Sequence, residues 1–330
     1  MSRNNLTAEL EAAVMMNNST ADCNPRADFQ IYLFPTVYCF VFVLGLLGNV
    51  GALYVFIFKI TPRSSSNIYV INLALADTIF LCTLPFRIHY HLKGNDWVFG
   101  SPACLVIGTL FFTNIYISVA FLTCICIDRY IATVHPITYL RLRGTKCTLW
   151  VSLAVWTVTG VAMLALILTG PLDSAPEPGG SRRSCFENFS RREWAKRMTA
   201  YNACALVFGS IVPLAVIMVC YPLVARRLTR IRTGTSRRAL RIIYAILTIT
   251  TICFLPYAVV HLLHLLMRHQ IIQSCVYANA IYKARRLTMA LVSLNSCLDP
   301  VLYYFTTRHC DFSFFKRLRP RRTRNVYTIN

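Results

Sequence analysis

Seven stretches of this 330-residue chain are too long and too apolar for the interior of a soluble fold. Residues 31–58, 103–127, 147–172, 198–225 and 242–267 contain no charged side chain, and 67–86 and 287–305 contain one acid each, Asp77 and Asp299. A helix rises ~1.5 Å per residue, so about 20 apolar residues cross the hydrocarbon layer of a membrane. Soluble core helices of that length carry a charged face. Composition agrees, with 56% hydrophobic and 14% charged residues and a mean hydropathy of +0.51. The chain therefore reads as an all-α membrane protein, a seven-transmembrane helix bundle. Its helices are expected near 31–59, 67–92, 101–134, 147–170, 194–229, 237–268 and 277–307. A segment at 308–318 sets Phe312, Phe314 and Phe315 beside Lys316 and Arg317, the pattern of a short amphipathic helix on the membrane surface. The division is residues 1–30 as an outer N-terminal segment, 31–307 as the membrane domain and 308–330 as amphipathic helix and tail.

Charge orients the bundle. The net charge of +21 would point to nucleic acid in a soluble chain. Here 20 of the 34 Lys and Arg fall in four alternate connecting segments, 59–63, 129–146, 226–241 and 308–324. The remaining 14 are diluted by nine acids. The positive-inside rule puts the C-terminus in the cytoplasm and the N-terminus outside, with membrane lipid rather than nucleic acid as the partner. Residues 1–28 lack the apolar core of a cleavable signal peptide, so the first span is expected to act as the insertion signal. Glycosylation sequons at Asn5, Asn17, Asn18 and Asn188 all fall on the outer side. So do four of the 14 cysteines, Cys23, Cys104, Cys185 and Cys275; two disulfides are expected, with three pairings open.

Polar groups inside a membrane are costly and mark sites. Asp77 and Asp299 share a predicted depth with Asn49, Asn114, Ser118 and Asn295. Such a set either joins neighbouring helices by hydrogen bonds or forms a hydrated cluster that holds a monovalent cation. Pro213, Pro256 and Pro300 bend the last three spans. Asp128-Arg129-Tyr130 ends the third span on the inner side, where an acid beside an arginine looks like a charge switch. On the outer side Arg87, Arg268, Lys283, Arg285 and Arg286 converge from three spans with no acid beside them in sequence. Snorkelling to headgroups accounts for many such cations, but not for Arg87, which lies below the outer end of its span. A phosphate or carboxylate ligand fits them, arginine being suited to bidentate contact. Phe112, Tyr116 and His261 complete the candidate ligand site. His261 and His264 lack the paired acids or third ligand an enzyme would need, so no catalytic residue and no other cofactor is expected. A transporter or channel would want paired broken helices or a through-going polar path, and the sequence has neither repeat nor path.

Taken in order, Gly48-Asn49, Asn72-Leu73-Ala74 with Asp77, Cys104, Asp128-Arg129-Tyr130, Trp156, Pro213, Phe254-Leu255-Pro256 and Asp299-Pro300-Val301-Leu302-Tyr303 resemble the rhodopsin-like G protein-coupled receptors. The resemblance implies a Cys104–Cys185 disulfide and an activation step in which the sixth span swings outward. Arg129 would then meet a heterotrimeric G protein. It implies roles in that step for Asp128, Tyr130, Pro213, Phe254, Pro256, Asp299, Pro300 and Tyr303. It also implies a sodium site of Asp77, Asn49, Asn114, Ser118, Asn295 and Asp299. Three positions depart from the family. Asp299 replaces the usual Asn, Phe254 replaces the usual Trp, and Ser236 stands where some members place an acid that locks the third-span arginine.

The first two departures are similar to the purinergic-receptor-like branch, as is a second disulfide from Cys23 to Cys275. Within that branch Thr83-Leu84-Pro85-Phe86-Arg87, Phe121-Leu122-Thr123-Cys124-Ile125 and Cys185-Phe186-Glu187-Asn188-Phe189 with Trp194 look most like the lysophosphatidic acid receptors of types four and six. Cysteinyl leukotriene receptors share Leu84-Pro85-Phe86-Arg87 and a similar Trp97-Val98-Phe99-Gly100. Phe111 occupies the family's amine-binding position, which disfavours an amine. Ala258 and His261 occupy the positions of the nucleotide receptors' histidine and basic residue. The resemblance implies a receptor for lysophosphatidic acid or a related anionic lysophospholipid, with nucleotides and leukotrienes as alternatives. It further implies coupling to the Rho-activating G protein class, or to the Gi or Gq class, set by residues 137–146 and 229–236. Cys310 is the candidate palmitoylation site.

Overall fold

The computed structural model describes residues 27–60, 65–142, 145–168, 173–174, 183–185, 198–230 and 234–300. Long helices dominate because a membrane offers backbone groups no water, so each N–H and C=O must be satisfied within its own segment. Six described helices are long and apolar enough to cross a membrane: Gln30–Lys59, Ser65–Leu92, Ser101–Val134, Thr145–Leu168, Thr199–Thr229 and Ile243–Arg268. The sixth helix begins earlier, at Gly234. The seventh, Cys275–Ser293, turns at Leu294 and is helical again over 295–300. Residues 301–330, including Tyr303, Cys310 and the expected amphipathic helix, lie outside the described residues, as do Asn5, Asn17, Asn18, Cys23 and Asn188.

The surface is inverted relative to a soluble protein. Leu47, Phe58, Trp150, Leu168 and Phe208 are each at least 70% exposed, whereas Asn49, Asp77 and Asp299 are wholly buried. Apolar side chains face outward to lipid and polar ones inward, the only arrangement a bilayer rewards.

Two helices carry a π-helical widening, at Val55–Lys59 and Val207–Ile211. The second follows from Pro213, which has no N–H to donate back along the helix. The chain relaxes just before it, and the Val212 N–H reaches Val207 O. Two glycines set close approaches. A Cβ at Gly48 would lie 2.6 Å from Pro300 Cγ, so the first and seventh spans meet there. A Cβ at Gly209 would lie 2.4 Å from Tyr116 Cδ1, joining the third and fifth spans.

Two features were not anticipated from sequence: a short helix, Pro136–Leu142, after the third span, and a two-stranded antiparallel hairpin. Its strands, β1 (Asp173–Ser174) and β2 (Ser184–Cys185), pair Asp173 with Cys185. Cys185 is disulfide-bonded to Cys104 at the start of the third span. Trp97 is buried with this disulfide, its backbone N–H donating to Arg183 O at 2.9 Å and its indole N–H to Gly100 O at 2.8 Å. Gly100, at φ 82°, permits that tight turn. Cys275 is also disulfide-bonded, as expected, while its expected partner Cys23 lies outside the described residues.

Candidate functional site

The bundle holds three polar zones in line. The middle one gathers around Asp77, whose Oδ1 accepts from Ser296 Oγ at 2.8 Å, Ser118 Oγ at 3.3 Å and Asn114 Nδ2 at 3.5 Å. Asn295 Nδ2 donates to Asp299 Oδ2 at 2.8 Å. Asn49 Nδ2 donates to Gly45 O at 2.9 Å and to Ser296 O at 2.8 Å, tying the first span to the seventh. All six residues foreseen for a cation are thus brought together, with Ser296 as a member the sequence did not single out. Asp77 and Asp299 lie side by side. Two buried carboxylates in contact repel unless a proton or a cation lies between them. Four buried oxygens, Asn49 Oδ1, Asp77 Oδ2, Asn295 Oδ1 and Asp299 Oδ1, accept no hydrogen bond from any described residue. An all-oxygen set of this kind is what a hard cation takes.

The zone nearer the disulfide is cationic and aromatic. Arg87 is 5% exposed. Its guanidinium lies 4.8 Å from the Phe111 ring centroid and 6.0 Å from that of Phe112. Phe111 is itself fixed edge-on to Tyr38 at 5.8 Å and packed on Phe80 at 5.3 Å. From the seventh span, Arg285 Nη1 meets His264 Nε2 at 3.1 Å. An arginine has no acceptor, so His264 accepts through that nitrogen. His261 Nε2 pairs with Asn202 Oδ1 at 3.2 Å, bringing in a fifth-span residue that no sequence signal marked. Arg268, Arg285 and Arg286 all lie within electrostatic reach of His264. Arg286 is held differently, its Nη2 donating to Tyr282 OH at 2.6 Å over that ring. Tyr116 faces Tyr257 across the third and sixth spans. Lys283 is exposed and stands apart from the converging arginines. Among the described residues no carboxylate pairs with Arg285.

At the opposite end Asp128 accepts a hydrogen bond from Ser66 at the start of the second span. No ion pair joins it to Arg129 among the described residues, in contrast to the pairing the sequence invited. Arg129 is exposed and lies within electrostatic reach of the buried Tyr221. Tyr130 OH meets His135 Nε2 at 3.3 Å. Trp156 Nε1 donates to Asn72 Oδ1 at 2.8 Å and ties the fourth span to the second. Phe254 is buried in the apolar core two residues before Pro256. Pro213 follows the π-helical widening, and Pro300 packs on Gly48.

The bundle has an apolar exterior, a buried acid pair, a disulfide-tethered hairpin at one end and Asp-Arg-Tyr at the other, and residues 48–303 match the family described as 7 transmembrane receptor (rhodopsin family). The chain belongs to that family and is a multi-pass G protein-coupled receptor, not an enzyme. Among its relatives, lysophosphatidic acid receptor 4 of Mus musculus is 36% identical over 91% of this chain and 82% of the relative. Lysophosphatidic acid receptor 6 of Gallus gallus is 34% identical over 87% of this chain and 94% of the relative. A type 1 purinoceptor of Gallus gallus is 35% identical over 87% and 80% respectively.

Proposed function

We propose that this receptor is activated at the plasma membrane by an anionic lysophospholipid, of which lysophosphatidic acid is the leading candidate. The observation that carries the reading is the outer zone itself. Arg87 and Arg285, with Arg268 at its edge, converge on one region walled by Phe111, Phe112 and Tyr116. A phosphate head satisfies the cations, and an acyl tail suits the aromatic and aliphatic walls beneath them. Two of the relatives carry the name lysophosphatidic acid receptor, which supports the same ligand. The disulfide end then faces outside and Arg129 faces the cytoplasm, where it engages a G protein of the Rho-activating class. The buried acid pair holds a sodium ion with Asn49, Asn114, Ser118 and Asn295.

The competing reading is a nucleotide, favoured by the purinoceptor relative and by aromatic rings on which a base can stack. A panel of lysophosphatidic acid, other lysophospholipids, nucleotides and cysteinyl leukotrienes separates the two. It is assayed by ligand-dependent GTP exchange on purified Rho-class, Gi and Gq proteins. Lysophosphatidic acid is expected to activate the native chain, and Arg87→Ala to lose the response at unchanged surface expression. Full signalling by Arg87→Ala, or activation by nucleotides alone, overturns the assignment.

A further inference from the structure

The fifth and sixth spans separate near the Arg129 end of the bundle. Between them lies a cleft of about 220 Å³, its floor made by Tyr221, Ala225 and Ile243 and its rim by Arg226, Thr229 and Tyr244. The floor is buried, while all three rim residues are exposed, as is Leu223 beside them. In a membrane-spanning helix an exposed apolar surface faces lipid, so the mouth opens to the bilayer rather than to the ligand zone.

Charge selects among the molecules a bilayer can supply. Residues 226–241 contain seven arginines and no acid, and no acid occurs anywhere between Glu193 and Asp299. Arg226 brings one of these cations to the cleft itself. An arginine there can lay its stem on apolar wall while its guanidinium reaches the phosphate level of the headgroups. A sterol would fill the floor and leave that cation unmatched, and a zwitterionic lipid would offer a phosphate but bring its ammonium among the arginines of 226–241. An anionic headgroup matches both.

We infer that an anionic phospholipid of the inner leaflet docks in this cleft, its phosphate on Arg226 and an acyl chain against Ala225 and Ile243. The inner leaflet follows from the orientation proposed above; the ligand of the outer zone plays no part. The walls of the cleft are the two spans whose spacing governs access to Arg129, so the seated lipid holds that spacing.

The test is native mass spectrometry of the full chain, released from nanodiscs of phosphatidylcholine with phosphatidylserine, without ligand or G protein. Phosphatidylserine is expected to stay bound in preference to phosphatidylcholine. Arg226→Gln is expected to cut its retention about fivefold. Ala225→Leu, which fills the floor without changing charge, lowers it similarly. Arg230→Gln, an exposed arginine one turn on and outside the cleft, leaves it unchanged. If Ala225→Leu lowers the melting temperature, Thr229→Leu narrows the rim instead. The inference is overturned if Arg230→Gln matches the loss of Arg226→Gln, since that is diffuse surface attraction. Equal retention of phosphatidylcholine or a sterol, or equal binding of the soluble glycerophosphoserine headgroup, overturns it as well.

Discussion

Replacing Gly48 by alanine adds one methyl group at a close contact between the first and seventh spans. That carbon would sit 2.6 Å from Pro300 Cγ and 2.7 Å from Pro300 Cβ. Carbon atoms rest at about 3.5–4.0 Å, and a proline ring fused to the backbone cannot swing aside. The helices must therefore part locally by about 1 Å. Overpacking of this kind costs about 1–3 kcal/mol. Alanine returns ~0.5–1 kcal/mol of helix propensity, so the net loss is roughly 1–2 kcal/mol. Gly51 supplies the control: it lies one turn away in the same helix with nothing within 4 Å of its added Cβ. Gly51→Ala gains the same propensity without the clash, and the difference between the two variants isolates the contact. In detergent the apparent melting temperature of Gly48→Ala should fall by roughly 2–8 °C, with that of Gly51→Ala unchanged or raised. The neighbouring bond from Asn49 Nδ2 to Ser296 O, now 2.8 Å, lengthens with the displacement, so agonist-driven GTP exchange should weaken too. Equal melting temperatures for the two variants would refute the contact.

Three further outcomes follow from the described geometry. Replacing choline by sodium at constant ionic strength should raise the melting temperature of the native receptor, because a bound ion stabilises only the folded form. The rise should vanish in Asp77→Asn and in Asp299→Asn. Gly209→Ala should lose stability against the Tyr116 ring 2.4 Å away, and adding Tyr116→Ala should restore part of it; strictly additive effects in that double-mutant cycle would discount the contact. Asn202→Ala removes the acceptor facing His261 Nε2 at 3.2 Å. Agonist affinity should fall about threefold to tenfold with Rho-class or other G protein coupling intact, whereas unchanged affinity would place that bond outside the ligand zone.

The spans were legible because a bilayer imposes one simple demand, an apolar run of about 20 residues; five runs met it with no charge at all, and those around Asp77 and Asp299 with a single acid each. The buried cluster of acids and amides was legible for a related reason: each amide or acid within such a run is conspicuous. Ser296 escaped because a serine carries no charge to betray it and, unlike Ser118, it is not among the positions the family resemblance pointed to. Residues that act through shape were harder to see. Gly48 belongs to a recognisable pair with Asn49, but nothing in the chain links it to Pro300 more than 250 positions away. Ser66 likewise gave no sign that it would take up Asp128. The direction of Lys283 was within reach. Successive helical residues turn by about 100°, so 283 and 285 point to nearly opposite sides, and only the latter meets His264. The widening at Val207–Ile211 was half legible, since Pro213 required a break but left open whether the helix would kink or widen.

The third span, like the fourth beside it, has no proline inside it to serve as a joint. Its 34 residues carry proline only in the first turn, whereas the first, second, fifth and sixth spans each hold one inside. It is an axle, with Phe111 and Phe112 beneath Arg87, then Asn114 and Ser118 at the acid pair, and finally Arg129. From Phe111 to Arg129 is 18 residues, about 27 Å of rod. With no proline at which the rod can kink, a tilt or twist imposed at its aromatic end is carried along it toward its arginine. The jointed helices around it must absorb whatever shape change the rod forces upon the bundle.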